Sequence, residues 1–163
     1  MFTSKSNSTV DELEDHLAII ELINRMVLGL DSKDWDGLVH LFTENVYSDR
    51  TSLTGGDPET LGAEAFVGGW RWLMDHLDAI HHIVSNHVVD VDGDSATCTA
   101  NMLGTHVLVN PSGGPMWQVG GHHNYQLTRT SDGWRIAGIT FIIQWATGNQ
   151  NILTLSMDAN NAS

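Results

Sequence analysis

Apolar residues set the rhythm of this chain, and the rhythm changes once. From about residue 10 they recur every three or four positions. Leu13, Leu17, Ile20 and Val27 fall on one side of a helical wheel, which predicts an amphipathic helix running to about Leu30. Ser8 or Thr9 suits its N-cap, and Asp11 and Glu12 suit its first turn. At 100° per residue Asp31 projects above Leu13 and within about 40° of Ile20 and Val27. A helix that persists so far therefore turns a carboxylate inward.

Next, "SKDWDGLVHLF" predicts a short second helix with Trp35, Leu38, Val39 and Phe42 inward. "NVYSDRTSL" reads as an extended piece and "TGGDPET" as a loop. "LGAEAFVGGWRWLMDHL" predicts a third helix, weakened by Gly68 and Gly69. From residue 79 the period shortens to two. Four β-like runs, roughly 80–91, 96–110, 116–130 and 133–147, are separated by "DGD", "NPSGGP" and "SDG", which are hairpin signals. Helices followed by an antiparallel meander predict an α+β fold with the helices on one face of a curved sheet.

Residues 1–8 read as a disordered leader, and the tail "NQNILTLSMDANNAS" as a polar segment that frays. With 163 residues, one domain with a core over about 10–147 is the simplest organisation. The last strand, "WRIAGITFIIQW", is apolar on both alternating faces. One face meets the helices and the other predicts a homo-oligomer.

Charge removes several classes of partner. Acidic residues outnumber basic ones 20 to 7, which argues against nucleic acid and against an anionic membrane surface. A single cysteine, Cys98, allows neither an internal disulfide nor a thiolate metal site. The N-terminus lacks the apolar core of a signal peptide and no run reaches spanning length, so the cytoplasm is the expected compartment.

A buried Asp31 is costly unless paired, and nine histidines are available. His81 and His82 are adjacent, so they face opposite ways on a strand, and periodicity does not choose between them. On the next strand Cys98, Ala100, Met102, Gly104, His106 and Leu108 share a small, apolar face, and on the third His122 and Asn124 share one. An apolar cavity with a carboxylate, two or three imidazoles and an amide is the usual look of a small-molecule site. The plainer readings are a helix-end cap for Asp31 and hydrogen-bonded core or rim positions for the histidines. A zinc site from His82, His106 and His122 is the metal alternative, but neither HExxH nor a strand His-x-His pair is present.

Four stretches, "LDSKDWDGL", "HHIVSN", "GTHVLV" and "DGWRIAGI", together resemble the scytalone dehydratase family. More broadly they resemble the SnoaL-like branch of the nuclear-transport-factor-2-like superfamily, over about residues 10–147. The resemblance implies a cone-shaped α+β barrel (cystatin-like), with N-terminal helices on a strongly curved antiparallel sheet and the active site inside. It places the catalytic Asp on Asp31 and the catalytic His on His82. The second pocket His falls on His106 and the pocket Asn on Asn124. The pocket Ser falls on His122, a departure. The two tyrosines that hold water in that family fall on Leu30 and Asp49, with Tyr47 a nearby substitute. The implied activity is a cofactor-independent, metal-free lyase or isomerase. His82 is the general base and Asp31 its orienter, with His106, His122 or Asn124 polarising a carbonyl. Dehydration of a small, apolar, cyclic polyketide- or terpenoid-like molecule is the favoured outcome. A cyclase or isomerase using the same pair, and a non-catalytic ligand-binding module, are the alternatives. The implied assembly is a homotrimer, with a homodimer as alternative.

Overall fold

A computed structural model of the chain describes residues 5–161. Helix α1 spans Lys5–Ser32 and α2 spans Trp35–Val39. Strand β1 is Phe42–Asp49, α3 is Thr51–Thr54, β2 is Glu59–Gly62 and α4 is Ala63–Met74. The four long strands follow as β3 Ala79–Asp92, β4 Ser95–Val107, β5 Met116–Thr130 and β6 Gly133–Gly148. Helix α5, Asn151–Asn161, comes last. The strands form one sheet in the order β2-β1-β6-β5-β4-β3. The hairpins are antiparallel as expected, but β1 lies parallel to β6, so the sheet is mixed.

Helix α1 departs from expectation in its first half. Ser8 and Thr9 lie inside the helix rather than at its cap, and residues 1–4 of the expected leader lie outside the described residues. Leu13 and Leu17 are exposed, and burial begins at Ile19 and continues through Leu22, Ile23, Met26, Val27 and Leu30. The first turns lie beyond the sheet's cover and are tied down at their edge instead. Asp15 accepts two hydrogen bonds from the Arg129 guanidinium, at 2.7 and 2.6 Å, and one from Trp134 Nε1 at 3.0 Å. The Arg129 guanidinium beside it holds the Asp15 carboxyl below the usual carboxylate range.

The end of α1 is built by "DSKDW". Lys33 adopts a left-handed conformation, φ 58°, which stops the helix. Asp34 then caps α2 by accepting from the Gly37 N–H at 3.0 Å. Lys33 Nζ donates to the carbonyls of Asp75 and Leu77, and Trp35 Nε1 to the Asp75 carboxylate. These bonds fasten the entry of β3 to the end of α1.

Two of the sheet's register shifts change which residues of β3 and β6 face inward. In β3 the pairing shifts between Ser85 and Val88, and Asn86 sits at φ 57°, a conformation asparagine tolerates. Before the bulge Ile80, His82 and Val84 face the core; after it Val89 and Val91 do. In β6 the pairing with β5 slips between Gln126 and Leu127, leaving Ala137 unpaired. Trp134 and Ile136 point inward before it, Ile139 and Phe141 after it. Much of that strand's double apolar character thus comes from one inward face that changes parity, not from two faces needing cover.

The expected frayed tail is α5. Ile152 is fully buried and Leu153 nearly so, and the helix packs on α4. Its buried residues, Ile152, Leu153 and Ser156, fall on one side, a face that a polar composition conceals. Replacing Ile152 with Ala should cost about 2–5 kcal/mol of stability, as for a core aliphatic residue. Denaturant melts of the two proteins measure this, and equal midpoints would contradict a docked helix.

Candidate active site

Helices α1, α4 and α5 close over the concave side of the sheet and leave a cavity of about 130 Å³. Its wall is largely apolar: Leu30 from α1, Phe66 and Trp70 from α4, Leu153 from α5, Met102 and Phe141 from the sheet. The polar groups on it are His82, His106, His123, Ser48, Arg50 and Thr54.

Asp31 and His82 meet at one side. The His82 Nδ1 lies 2.7 Å from Asp31 Oδ1. The same carboxylate accepts the His82 backbone N–H, at 3.0 Å to each oxygen. Strand β3 is the edge of the sheet, so this N–H is free to meet a side chain from α1. Three contacts to one carboxylate offset the cost of burying it. With Nδ1 held against a carboxylate, Nε2 is left to the cavity. The neighbouring His81 ring is 71% exposed, although its Nδ1 still approaches Asp31 Oδ2 at 3.6 Å.

Across the ladder from His82 stands Gly104. A Cβ there would lie 3.0 Å from both His82 Cδ2 and His106 Cε1, so glycine makes room for both rings. The two imidazoles pack edge to face at 5.3 Å, and His106 stacks against Trp117 at 5.2 Å. Burial, then the nearby His82 charge, push the His106 pKa down to about 4, so the ring is neutral at pH 7. Its Nδ1 is buried without a well-formed hydrogen bond.

Of the expected residues, Leu30, His82, Met102 and His106 line the cavity, and Asp31 stands behind His82. Four others do not line it. On β5 the odd positions Trp117, Val119, His123 and Tyr125 are the buried ones, so His122 and Asn124 share a face, as expected, but the outer one. Asn124 accepts there from the Thr99 hydroxyl at 2.9 Å. Asp49 turns the chain into α3, accepting from the Thr51 N–H and hydroxyl. Tyr47 has the same parity as Asp49, and Ser48 between them takes the inward place. With His122 outside, the conceivable zinc set is not assembled. Among the described residues no group of three or more His, Cys, Asp or Glu side chains could hold a metal ion.

His123 is the residue the pattern missed. Alternation leaves "HH" at 122–123 ambiguous, and only the run Trp117, Val119, Tyr125, Leu127 around it indicates the odd face. Its Nδ1 lies 2.9 Å from the Tyr125 hydroxyl, and burial pushes its pKa down to about 3.

Two buried neutral imidazoles have a consequence for stability. Both ring types titrate near 6.5 when unperturbed and near 4 and 3 in the fold. Between those values the unfolded chain binds more protons, so stability is full above about pH 6.5 and falls as the pH drops towards 3. Each ring contributes a slope of up to about 1.4 kcal/mol per pH unit. Urea melts between pH 7 and pH 4.5 should show this decline, and His123→Phe should flatten it. An unchanged slope in the variant would contradict a neutral, buried His123.

Comparison with known proteins agrees with this architecture. An uncharacterized protein of Mycobacterium tuberculosis is 29% identical over 136 residues, covering 81% of this chain and 87% of its own. A crystal structure of a Kribbella flavida protein superposes with a TM-score of 0.80 at 28% identity, covering 83% of this chain and 95% of that one. A Novosphingobium aromaticivorans protein provisionally named a scytalone dehydratase gives 0.76 at 17% identity, covering 87% and 92%. A hexachlorocyclohexane dehydrochlorinase from Novosphingobium barchaimii gives 0.69 at 16%, covering 87% and 94%. These likenesses describe one shared α+β fold, which a further solved neighbour's description calls cystatin-like. The SnoaL-like domain family matches residues 11–140, and the chain belongs to that family.

Proposed function

We propose that this protein is a cofactor-independent lyase or isomerase that uses His82 as a general base and Asp31 as its orienter. Elimination of water from a small, cyclic, largely apolar molecule is the favoured reaction. The reading rests on the 2.7 Å contact between Asp31 Oδ1 and His82 Nδ1 at the wall of an apolar cavity. A ligand-binding module has no need to bury a carboxylate behind an imidazole there. The fold neighbours named for dehydration and dehydrochlorination lend support, since both names describe eliminations.

The step is a proton transfer. Nε2 of His82 takes a hydrogen from carbon, the C–H pair moves towards a new double bond, and Asp31 stabilises the imidazolium that forms. In a dehydration the same proton leaves with the departing hydroxyl as water, which returns His82 to neutrality without an oxidant or reductant. Six-membered rings suit the free volume. Assembly as a homotrimer, or a homodimer, is part of the reading. Its support is now the exposed Ile83, Val88 and Trp145 rather than strand alternation, and a monomer by light scattering at micromolar concentration would refute it.

Hydrogen exchange of cyclohexanone in D₂O, followed by NMR, tests the base without knowledge of the natural substrate. His82→Ala should lose the accelerated exchange by about 10²–10⁴-fold, the usual worth of a general base. Asp31→Asn should lose nearly as much, because it favours the wrong tautomer, and the double variant little more than either. Exchange at the wild-type rate in His82→Ala would remove the mechanism.

A further inference from the structure

His123 on the cavity wall and Tyr125 behind it form a pair that the Asp31–His82 step does not use. Both face inward from β5, and Tyr125 is 1% exposed. Its hydroxyl lies 2.9 Å from His123 Nδ1 and makes no other hydrogen bond among the described residues. That single contact decides the direction of the bond. Burial raises the phenol's pKa, so it keeps its proton, and a buried O–H without an acceptor is expensive. If His123 donated from Nδ1, the phenol proton would be stranded. The hydroxyl therefore donates, Nδ1 accepts, and a neutral ring that accepts at Nδ1 carries its proton on Nε2. Phe141 stands perpendicular to the ring at 4.5 Å and Tyr125 at 76°, which fixes its plane. Among the described residues Nε2 makes no hydrogen bond, and His123 lines the cavity.

His82 has the opposite polarity. Its Nδ1 faces a carboxylate, so Nε2 offers a lone pair. We infer that His123 is a second catalytic residue, donating its Nε2–H to a carbonyl oxygen of the substrate, and that Tyr125 is a positioning residue that locks its tautomer. This rests on His82 being the base. It also narrows the substrate to a small cyclic ketone bearing a hydrogen on the carbon beside the carbonyl. For dehydration, a hydroxyl sits on the carbon after that. When His82 removes the hydrogen, the C–H pair forms the enolate C=C bond and the carbonyl π pair moves to oxygen. There it meets a fixed N–H in a dry site. The pair then returns, the C–O bond breaks, and hydroxide leaves with the proton held on His82. Burial keeps His123 uncharged, so it does not oppose the positive charge that develops on His82.

Two readouts test the inference apart from turnover. In protein carrying ¹⁵N-labelled histidine, ring correlation spectra at pH 7 should show His123 protonated at Nε2 only. Tyr125→Phe should give a mixture of tautomers. Infrared difference spectra of bound cyclohexanone, ¹³C-labelled at the carbonyl, should show the C=O stretch moved to lower frequency in the wild type and in His82→Ala. The shift should be lost in His123→Leu and partly kept in His123→Gln, which retains an N–H donor. The exchange rate should drop about 10²–10³-fold in His123→Leu, the cost of removing one oxyanion donor. An Nδ1-protonated His123, a C=O stretch equal in wild type and His123→Leu, or no uptake of the ketone would overturn it. A preserved shift with exchange unaffected by His82→Ala would instead overturn the base assignment and leave the donor standing.

Discussion

One carboxylate joins the helical layer to the sheet at the point where the sheet has an unsatisfied edge. Strand β3 has a neighbour on one side only, and Asp31 meets its other side through the His82 N–H. Water would satisfy that N–H equally well on an exposed edge. Here the edge is covered by α1, so a side chain must do it. The same carboxylate then fixes the ring of the residue whose backbone it holds. Structural and chemical roles are thereby fused. The end of α1, the start of β3 and the imidazole between them cannot move independently.

Around that point the cavity separates polar groups by environment rather than by distance alone. Asp31 and His82 are joined to each other. His106 lies against aromatic rings, and His123 is bound to a phenol, both without a counter-ion. Desolvation acts on the two rings that lack a carboxylate and keeps them neutral. Three imidazoles within one small chamber would repel one another if all could charge. The fold lets only one of them stand against a carboxylate.

The order of helices and long strands was legible because the change from a three-to-four period to a two period is strong, and the hairpin breaks carry Gly, Asn and Pro. Asp31 was legible from its angle to Val27, and the inward face of β4 from its small residues. Where strict alternation fails, the pattern fails too. Nothing in "VSNHV" announces that Asn86 is an extra residue, and nothing in "IAGI" announces Ala137. At 122–123 two identical side chains stand on opposite faces, so their identity carries no directional information, and the one that lines the cavity is His123 rather than His122. Helix α5 was hidden because a helix docked by a few residues needs only a few apolar positions. Strand β2, the partner of β1, was read within the loop and third-helix segments for a similar reason: its burial is slight.

The unpaired Ala137 divides β6 into two stretches with different duties. Trp134 and Ile136 belong to the packed base, while Ile139 and Phe141 face the chamber. Because the extra residue resets the alternation, each stretch presents its own set of side chains without dictating the parity of the other. Replacements at Phe141 can therefore reshape the chamber while the base keeps its packing. Within a single strand, what the protein accepts is thereby partly uncoupled from whether it folds.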